Sequence, residues 1–346
     1  MKRVTIQDVA DKVGVTKGLV SRALRGKYNV SEKMREEITR TAVAMGYDFN
    51  KLRAKGKKRN KCLLIMTSEM LLKKDYWRPI IRTLTATLEE NHINLEYQIY
   101  DEASCGEADV NKLRSVDASG YVFINNNPEI LVRAAENTYL PVVVIDPKTV
   151  MSGRHLQIKY SNFNSFYDLT KLLIRSGHKD LVFYGPKAES ASFNEREQGF
   201  KASVADSDQK GINAYEVLFE NSDGQYADNE NFEKMLRTHP EITAVLCAND
   251  IIAINAMKSI ASIGKSVPKD YAVVGFDNIS ESSHPNVDLT TVNVPREGLG
   301  EEAAKYLIDQ INNKKIKYSQ IVIDCETVIR GSIGDVGLKE NTSWQE

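Results

Sequence analysis

Within TKGLVSRAL (Thr16–Leu24), the residues Lys17, Gly18, Ser21 and Arg22 recur at spacings that place them on one face of a single helix. Cationic and small polar side chains on such a face suit contact with base edges in a DNA groove. A guanidinium such as Arg22 can grip a guanine with two parallel hydrogen bonds, worth about 1–3 kcal/mol of discrimination, or hold a phosphate without reading sequence. A second set of polar residues closes a series of short apolar runs: Ser68 after CLLIM, Asn125 after YVFI, Asp146 after VVVI, Asn249 and Asp250 after AVLCA, and Asp277 after AVVGF. Carboxylates and amides without a nucleophile beside them suit hydrogen bonding to a polar, polyhydroxylated small molecule. Each of them also suits a helix N-cap or a structural ion pair.

The elements that must carry the first set are legible. Ile6, Val9, Ala10 and Val13 follow an i, i+3, i+4, i+7 stripe behind Thr5, an N-cap with Asp8 three residues on. Gly14 marks a turn, and Thr16 caps a second helix that turns Leu19, Val20, Ala23 and Leu24 inward. Ser31 caps a third helix, with Met34, Ile38, Thr41, Ala42 and Met45 closing a small core and Gly46 ending it. The layout predicts an all-α helix-turn-helix headpiece over residues 1–50. Charge agrees: residues 1–60 hold 16 Lys and Arg against 6 Asp and Glu, whereas the remainder holds 30 against 41. A basic head on an acidic body suits docking of a phosphate backbone at one end only. Residues 51–61 (KLRAKGKKRNK) lose the periodicity and read as a basic linker, held against DNA or merely solvated.

From Cys62 onward, apolar runs alternate with helical patterns, which predicts parallel sheets covered by helices on both faces, with strands enough for two lobes. No apolar run approaches the length of a spanning helix and the N-terminus has no hydrophobic leader, so the chain is expected in the cytoplasm. Cys62, Cys105, Cys247 and Cys325 are scattered, suggesting neither disulfides nor a zinc site, and Cys62 and Cys247 read as core residues. No G-x-G-x-x-G follows the first strand of either lobe. The GKS at Gly264–Ser266 lacks the upstream glycine of a phosphate-binding loop, and neither G-x-S-x-G nor H-E-x-x-H occurs. Neither catalytic residues, nor a bound metal, nor a cofactor is expected, and His178 reads as a turn-stabilising hydrogen-bonder.

The ordered blocks VTIQDVADKVGVT, VSRAL, VS and GYDFN, followed by GHKDLVFYG, ER-x-x-GF, CAND, VVGFDN and LTTV, make the chain resemble the lac repressor (LacI/GalR) family of bacterial transcriptional regulators over nearly its whole length. The resemblance implies an α/β periplasmic-binding-protein-like core of two doubly wound parallel-sheet subdomains behind the headpiece. The subdomains would comprise residues 62–160 plus about 293–320, and 161–292 plus about 321–337, leaving 338–346 as a tail. It implies an effector cleft lined by Arg196, Asp277 and the aromatic Phe219, with Tyr76 and Trp77 as an aromatic pair for a sugar ring. It also adds Thr5, Thr16, Asn29 and Asn50 to the DNA-facing residues and makes the linker a hinge helix that wedges a leucine into the minor groove. Here the chain departs from the family: the leucine position holds Gly56, the proline position Phe49, and a threonine of the reading helix is Leu19. Leu52 lies one turn earlier, and Arg53, Lys55, Lys57 and Lys58 are expected to carry more of the hinge's contact with DNA.

The expected function is therefore sequence-specific regulation of transcription, chiefly repression, by a homodimer on a pseudo-palindromic operator, its DNA affinity set by a sugar-like effector. A tail without leucine heptads argues against a coiled-coil tetramer. Two other classes fit parts of the pattern: a regulator of this family governed by a protein co-regulator, and a cytosolic sugar-binding protein with no DNA role. An enzyme ranks last.

Overall fold

The computed structural model describes residues 4–24, 30–47, 61–68, 70, 74–125, 128–187, 190–220, 226–312 and 319–334. The headpiece contains α1 (Ile6–Val13), α2 (Lys17–Leu24) and α3 (Glu32–Ala44) around a core of Val9, Ala10, Val20, Ala23, Leu24, Ile38, Ala42 and Tyr47. Gly14 takes φ +77° between α1 and α2, and Gly46 takes φ +72° after α3, backbone conformations that cost glycine least. Ser31 occupies the N-cap of α3, but its hydroxyl makes no capping hydrogen bond, so this end lacks the side-chain cap expected there.

Strands and helices alternate along the rest of the chain. In order they are β1 (Lys61–Thr67), α4 (Lys74–Glu90), β2 (Asn94–Tyr100), α5 (Glu107–Ser115), β3 (Gly120–Ile124), α6 (Glu129–Glu136), β4 (Val142–Ile145) and β5 (Leu156–Tyr160). There follow α7 (Asn162–Arg175), β6 (Asp180–Pro186), α8 (Ala191–Ala205), β7 (Asn213–Phe219), α9 (Asn229–Thr238), β8 (Ala244–Cys247), α10 (Asp250–Ser262) and β9 (Ala272–Val274). The chain then forms β10 (Thr291–Asn293), α11 (Arg296–Ile311), β11 (Gln320–Ile323) and β12 (Glu326–Val328). Lys61, read from composition as the last residue of the basic linker, opens β1 and sits 2.7 Å from Glu96. A strand pairing, not the charge run, sets that boundary.

Two compact units result. The first comprises 1–147, 151–158 and 296–321, the second 148–150, 159–295 and 322–346. In the first, a six-stranded sheet runs in the order β11-β5-β4-β3-β1-β2, and β1 to β5 are parallel. Alternation along β1 sorts its side chains. Leu63 and Ile65 join Val110, Leu113, Leu131 and Val132 of α5 and α6, while Cys62 faces α11. Gly300 lets α11 lie against α4, since a Cβ there would come within 2.2 Å of the Ile80 carbonyl.

The second unit holds a parallel sheet in the order β7-β6-β8-β9 and the antiparallel pair β10-β12. Its core is aromatic: Phe166 contacts Phe183 and Phe276, and Tyr184 stacks on Phe232 at 4.4 Å. The helices α7 and α8 pack through Gly199, where a Cβ would meet the Phe163 carbonyl at 2.3 Å. That neighbour is backbone and cannot swing aside. Gly199→Ala is therefore expected to cost about 1–3 kcal/mol by overpacking, read as a lower urea midpoint with little change in slope. Gly18→Ala, whose Cβ would meet nothing within 4 Å, is the control and should not destabilise.

Candidate functional site

The headpiece presents its chemistry through capped helix starts. Thr5 Oγ1 accepts from the Asp8 backbone N–H (3.3 Å), and Asp8 Oδ2 accepts from the Thr5 N–H (2.7 Å), so each end of this capping box satisfies a donor that α1 leaves open. Thr16 Oγ1 accepts from the Leu19 N–H at 3.2 Å and starts α2 in the same way. With Val20, Ala23 and Leu24 buried, α2 turns Lys17, Gly18 and Arg22 to solvent and leaves Ser21 half-buried beside them. One anchor escaped the sequence reading. Arg35 of α3 is 5 % exposed and donates to the Ala23 carbonyl at 3.2 Å, placing a cation at the electronegative end of α2. Ile38, three residues on, belongs to the core stripe, but nothing in the periodicity marks an arginine as a helix anchor. Asn29, Asn50, Leu52, Arg53, Lys55 and Lys57, along with the rest of the expected hinge, lie outside the described residues.

In the first unit the strand-end residues do different things. Ser68 is exposed immediately after β1. Asn125 and Asp146 adopt φ +53° and +46°, a conformation that Asn and Asp tolerate better than most residues. The Asn125 N–H donates to Ile145 O at 2.8 Å and the Asp146 N–H to Ile158 O at 2.7 Å, so both are turn residues stitched to the neighbouring strand. Tyr76 and Trp77 meet edge to face at 4.7 Å. Trp77 is a buried core residue, while half-buried Tyr76 has the Arg296 guanidinium 5.1 Å from its ring centre.

The second unit gathers polar groups at the C-terminal edge of its sheet. Arg196 is only 3 % exposed and is thoroughly engaged. Its Nε donates to Asn162 Oδ1 (3.0 Å), its Nη1 to the Ala248 carbonyl (2.7 Å), and its Nη2 lies 3.6 Å from Asp277 Oδ1. The Phe276 ring lies 3.7 Å under the guanidinium and the Phe193 ring is 5.4 Å away. Asn162 went unnoticed in the sequence because β5, the strand before it, alternates buried with half-buried residues and does not read as an apolar run. Asn162 Nδ2 also donates to Glu195 Oε2 at 3.2 Å, and Glu195 pairs with Lys159.

Two residues predicted to face a ligand are otherwise committed. Phe219 is 4 % exposed, with its ring 5.3 Å from that of Tyr184, so it belongs to the core beneath the sheet edge. The half-buried rings near Arg196 are instead Phe193 and, 6.2 Å from it, Tyr226. Asn249 is 6 % exposed, and its Oδ1 accepts from the Ile252 N–H at 2.9 Å as the N-cap of α10. Helix capping claims that side chain because β8 delivers the chain straight into α10.

Asp250 beside it is fully buried and organises the next loop. Its Oδ1 accepts from the Thr291 hydroxyl (2.5 Å) and its Oδ2 from the Ile279 N–H (2.9 Å). These bonds pin the segment carrying Asp277, whose φ of +109° is rare for a non-glycine residue. Arg330 secures the same segment through Asn278 Oδ1 (2.7 Å) and the Leu289 carbonyl (2.7 Å). His178 bonds Thr243 Oγ1 at 2.8 Å, a structural role, and burial lowers its pKa. Cys62 and Cys247 are both fully buried. Among the described residues, no group of three His, Cys, Asp or Glu side chains is arranged to hold a metal, and no helix is long and apolar enough to cross a membrane.

Comparison with known proteins places this geometry in context. Residues 5–50 match the model of bacterial regulatory proteins of the lacI family, and residues 170–333 match that of the periplasmic binding protein-like domain. The HTH-type transcriptional repressor PurR of Mannheimia succiniciproducens is 28% identical over 345 residues, covering 95% of this chain and 98% of that protein. Among solved structures, the transcriptional regulator CelR–cellobiose complex aligns with a TM-score of 0.65 at 22% identity, over 95% of this chain and 100% of that one. The lac repressor dimer bound to operator and the anti-inducer ONPF aligns with a TM-score of 0.65 at 21% identity, over 96% of this chain and 99% of that one.

The Asp250 carboxyl has a pKa pushed up to about 7 by burial, with the nearby Asp277 charge adding to the effect. The unfolded chain releases this proton near pH 3.8, so from there to about pH 7 the native state binds more protons than the unfolded state. Its contribution to stability therefore falls as pH rises through that window. Asp250→Asn, which cannot ionise, should lose this dependence: relative to the parent protein, its urea midpoint should improve from pH 4.5 to pH 7.5.

Proposed function

The chain belongs to the lacI family of bacterial regulatory proteins, and from that premise we propose that it represses transcription from a pseudo-palindromic operator as a homodimer, released or tightened by a small polar effector. The observation that carries the DNA half is the capped α2 with Lys17, Gly18, Ser21 and Arg22 along its outer side, on a headpiece whose charge is strongly basic. In this reading α2 lies in the major groove and Arg22 supplies the bidentate base contact. Thr5, Thr16, Asn29 and Asn50 contact phosphates, while Arg53, Lys55 and Lys57 add sequence-independent attraction, with Leu52 beside them at the groove floor. A homodimer follows from the two-fold symmetry of such operators. The protein works in the cytoplasm, with the DNA it reads.

The effector half rests on the second unit, where Arg196 and Asp277 converge at the C-terminal edge of a parallel sheet, the edge at which open α/β sheets take ligands. A planar guanidinium beside a carboxylate suits vicinal hydroxyls: one accepts from Nη2 and its neighbour donates to the carboxylate. We assign the effector to the sugars and sugar derivatives on this ground. Trp77, Phe219 and Asn249, buried and committed elsewhere, act by supporting the residues around them. Control by a protein co-regulator remains the second reading, favoured if no small molecule alters DNA binding.

Fluorescence anisotropy on operator fragments selected from random DNA tests the first half. Arg22→Ala should cost about 1–3 kcal/mol at one base pair of each half-site, leaving affinity for random DNA within a few-fold. Uniform weakening on all sequences would instead assign Arg22 to a phosphate. For the second half, a sugar at about 100 times its Kd should stabilise the protein by about 2.7 kcal/mol in a thermal-shift panel. Asp277→Asn should abolish that gain while leaving operator binding without ligand intact.

A further inference from the structure

One cluster of buried charge stands apart from the residues assigned to DNA and effector. It lies in the first unit, where the end of α6 meets the connection from β4 to β5. Glu136 is 6 % exposed and His155 4 %, with His155 Nδ1 2.9 Å from Glu136 Oε1. The same oxygen accepts from the Arg154 backbone N–H (2.5 Å). Glu136 Oε2 accepts from Arg133 Nη1 (3.0 Å), which also donates to the Ser152 carbonyl (2.9 Å). The Arg154 guanidinium donates to the Glu136 carbonyl and covers the Tyr139 ring at 3.9 Å, and Glu129 holds Arg133 from outside at 3.3 Å. Gly153 lets the backbone pass this close, since a Cβ there would fall 2.2 Å from Glu136 Oε1 and 2.8 Å from His155 Nδ1. Burial disfavours the Glu136 charge, yet the bonds from His155, Arg133 and Arg154 hold its pKa below the usual carboxylate range. The carboxylate is therefore ionised across the range in which an imidazole titrates.

The hydrogen bonds around the His155 ring fix its protonation state. An ionised Glu136 oxygen only accepts, so Nδ1 carries a hydrogen. On the far side, His155 Nε2 faces Gln157 Nε2 at 3.1 Å, and that amide nitrogen also lies 2.6 Å from the Met151 carbonyl. A carbonyl oxygen at that distance requires a donor, so the amide nitrogen donates and His155 Nε2 is the bare acceptor. The ring is neutral. A second proton would set N–H against N–H on the Gln157 side while strengthening the bond to Glu136 by charge. The ring then stays with the carboxylate and Gln157 gives way, turning its amide oxygen to Nε2–H and taking its N–H from Met151. We propose that His155 is a proton-operated latch on the β4–β5 connection: neutral, it holds Gln157 and Met151 together; protonated, it releases them. The residues just before this latch, Lys148–Val150, count with the second unit, where the Lys148 carbonyl accepts from the Ala191 N–H (2.9 Å). Ala191 opens α8, the helix that carries Arg196. Backbone bonds from the Gln157 N–H to the Ser319 carbonyl (3.0 Å) and from the Asp146 N–H to the Ile158 carbonyl (2.7 Å) keep the strands in place, so the release is confined to the connection.

Two measurements on the full chain test the latch. Ring-nitrogen NMR spectra at pH 7.5, with His155→Asn identifying its resonances among the five histidines, should show a protonated Nδ1 and a bare Nε2. A ring protonated at Nε2 at that pH overturns the proposal. Amide hydrogen exchange read by mass spectrometry, corrected for the intrinsic rate at each pH, should show protection over residues 147–157 falling about ten-fold or more between pH 7.5 and pH 5.5, with β3 unchanged. His155→Asn keeps a donor for Glu136 and cannot titrate, so its protection there should change less than about two-fold over the same range. Gln157→Leu, which removes the donor shared by His155 and Met151, should be as open at pH 7.5 as the parent protein is at pH 5.5. Operator binding at pH 7.5 reports that each variant is folded, and His155→Gln replaces the asparagine variant if that one fails. Equal protection of the parent at both pH values, the same loss in His155→Asn, or full protection in Gln157→Leu at pH 7.5 each overturns the latch.

Discussion

A guanidinium withdrawn from water must be surrounded by acceptors, and Arg196 imposes that demand on the second unit. At 3 % exposure its charge is tolerable only because Asn162, Ala248 and Asp277 are brought to it and the Phe276 ring lies beneath it. Asn162 opens α7, whereas Ala248 and Asp277 follow β8 and β9. The arginine thereby ties the start of α7 to the ends of two neighbouring strands of the second sheet that would otherwise be set independently. The loop carrying Asp277 adds its own anchors, because Asp250 accepts from the Ile279 N–H and the Thr291 hydroxyl while Arg330 donates to the Asn278 amide oxygen. Polar groups committed in this way leave little slack, so a ligand reaching Asp277 acts on a network and not on an isolated side chain.

The headpiece solves a smaller problem by the same means. Three short helices share a core of eight buried residues, which is little apolar surface for three elements, so helix ends matter disproportionately. The Thr5–Asp8 capping box, the Thr16 cap and the Arg35 contact with Ala23 each satisfy a backbone group at an end of α1 or α2. The outward side of α2 is left unencumbered as a result, with Gly18 keeping its surface flat between Lys17 and Arg22.

What could be read in advance followed burial. The runs CLLIM, YVFI, VVVI, LVFY, VLF, AVLCA and AVVGF coincide with β1, β3, β4, β6, β7, β8 and β9, strands mostly covered on both faces and so apolar throughout. The strands that escaped, β2, β5, β11 and β12, sit at sheet edges or alternate, with β2 exposing Tyr97 and Ile99 on one side. Losing β5 also hid Asn162, since a residue can be recognised as a strand end only when the strand is. Phe219 shows the opposite failure: the family resemblance implied a ring against the effector, yet Tyr184 and the sheet enclose it.

By itself, the order of residue types determined the three-helix headpiece and the alternating α/β body, because helix periodicity, capping residues and doubly buried strands are local patterns written along the chain. Which side chains converge is not local. Arg196 and Ala248 are 52 residues apart, Asp250 and Thr291 41 apart, and Asn278 and Arg330 52 apart. Only the crossing of strands brings each pair within hydrogen-bond reach. The same holds for the division of labour among the strand-end residues. Whether a polar side chain caps a helix, as Asn249 does, pins a loop, as Asp250 does, or faces a ligand depends on the donors that surround it, and those are supplied by the tertiary fold.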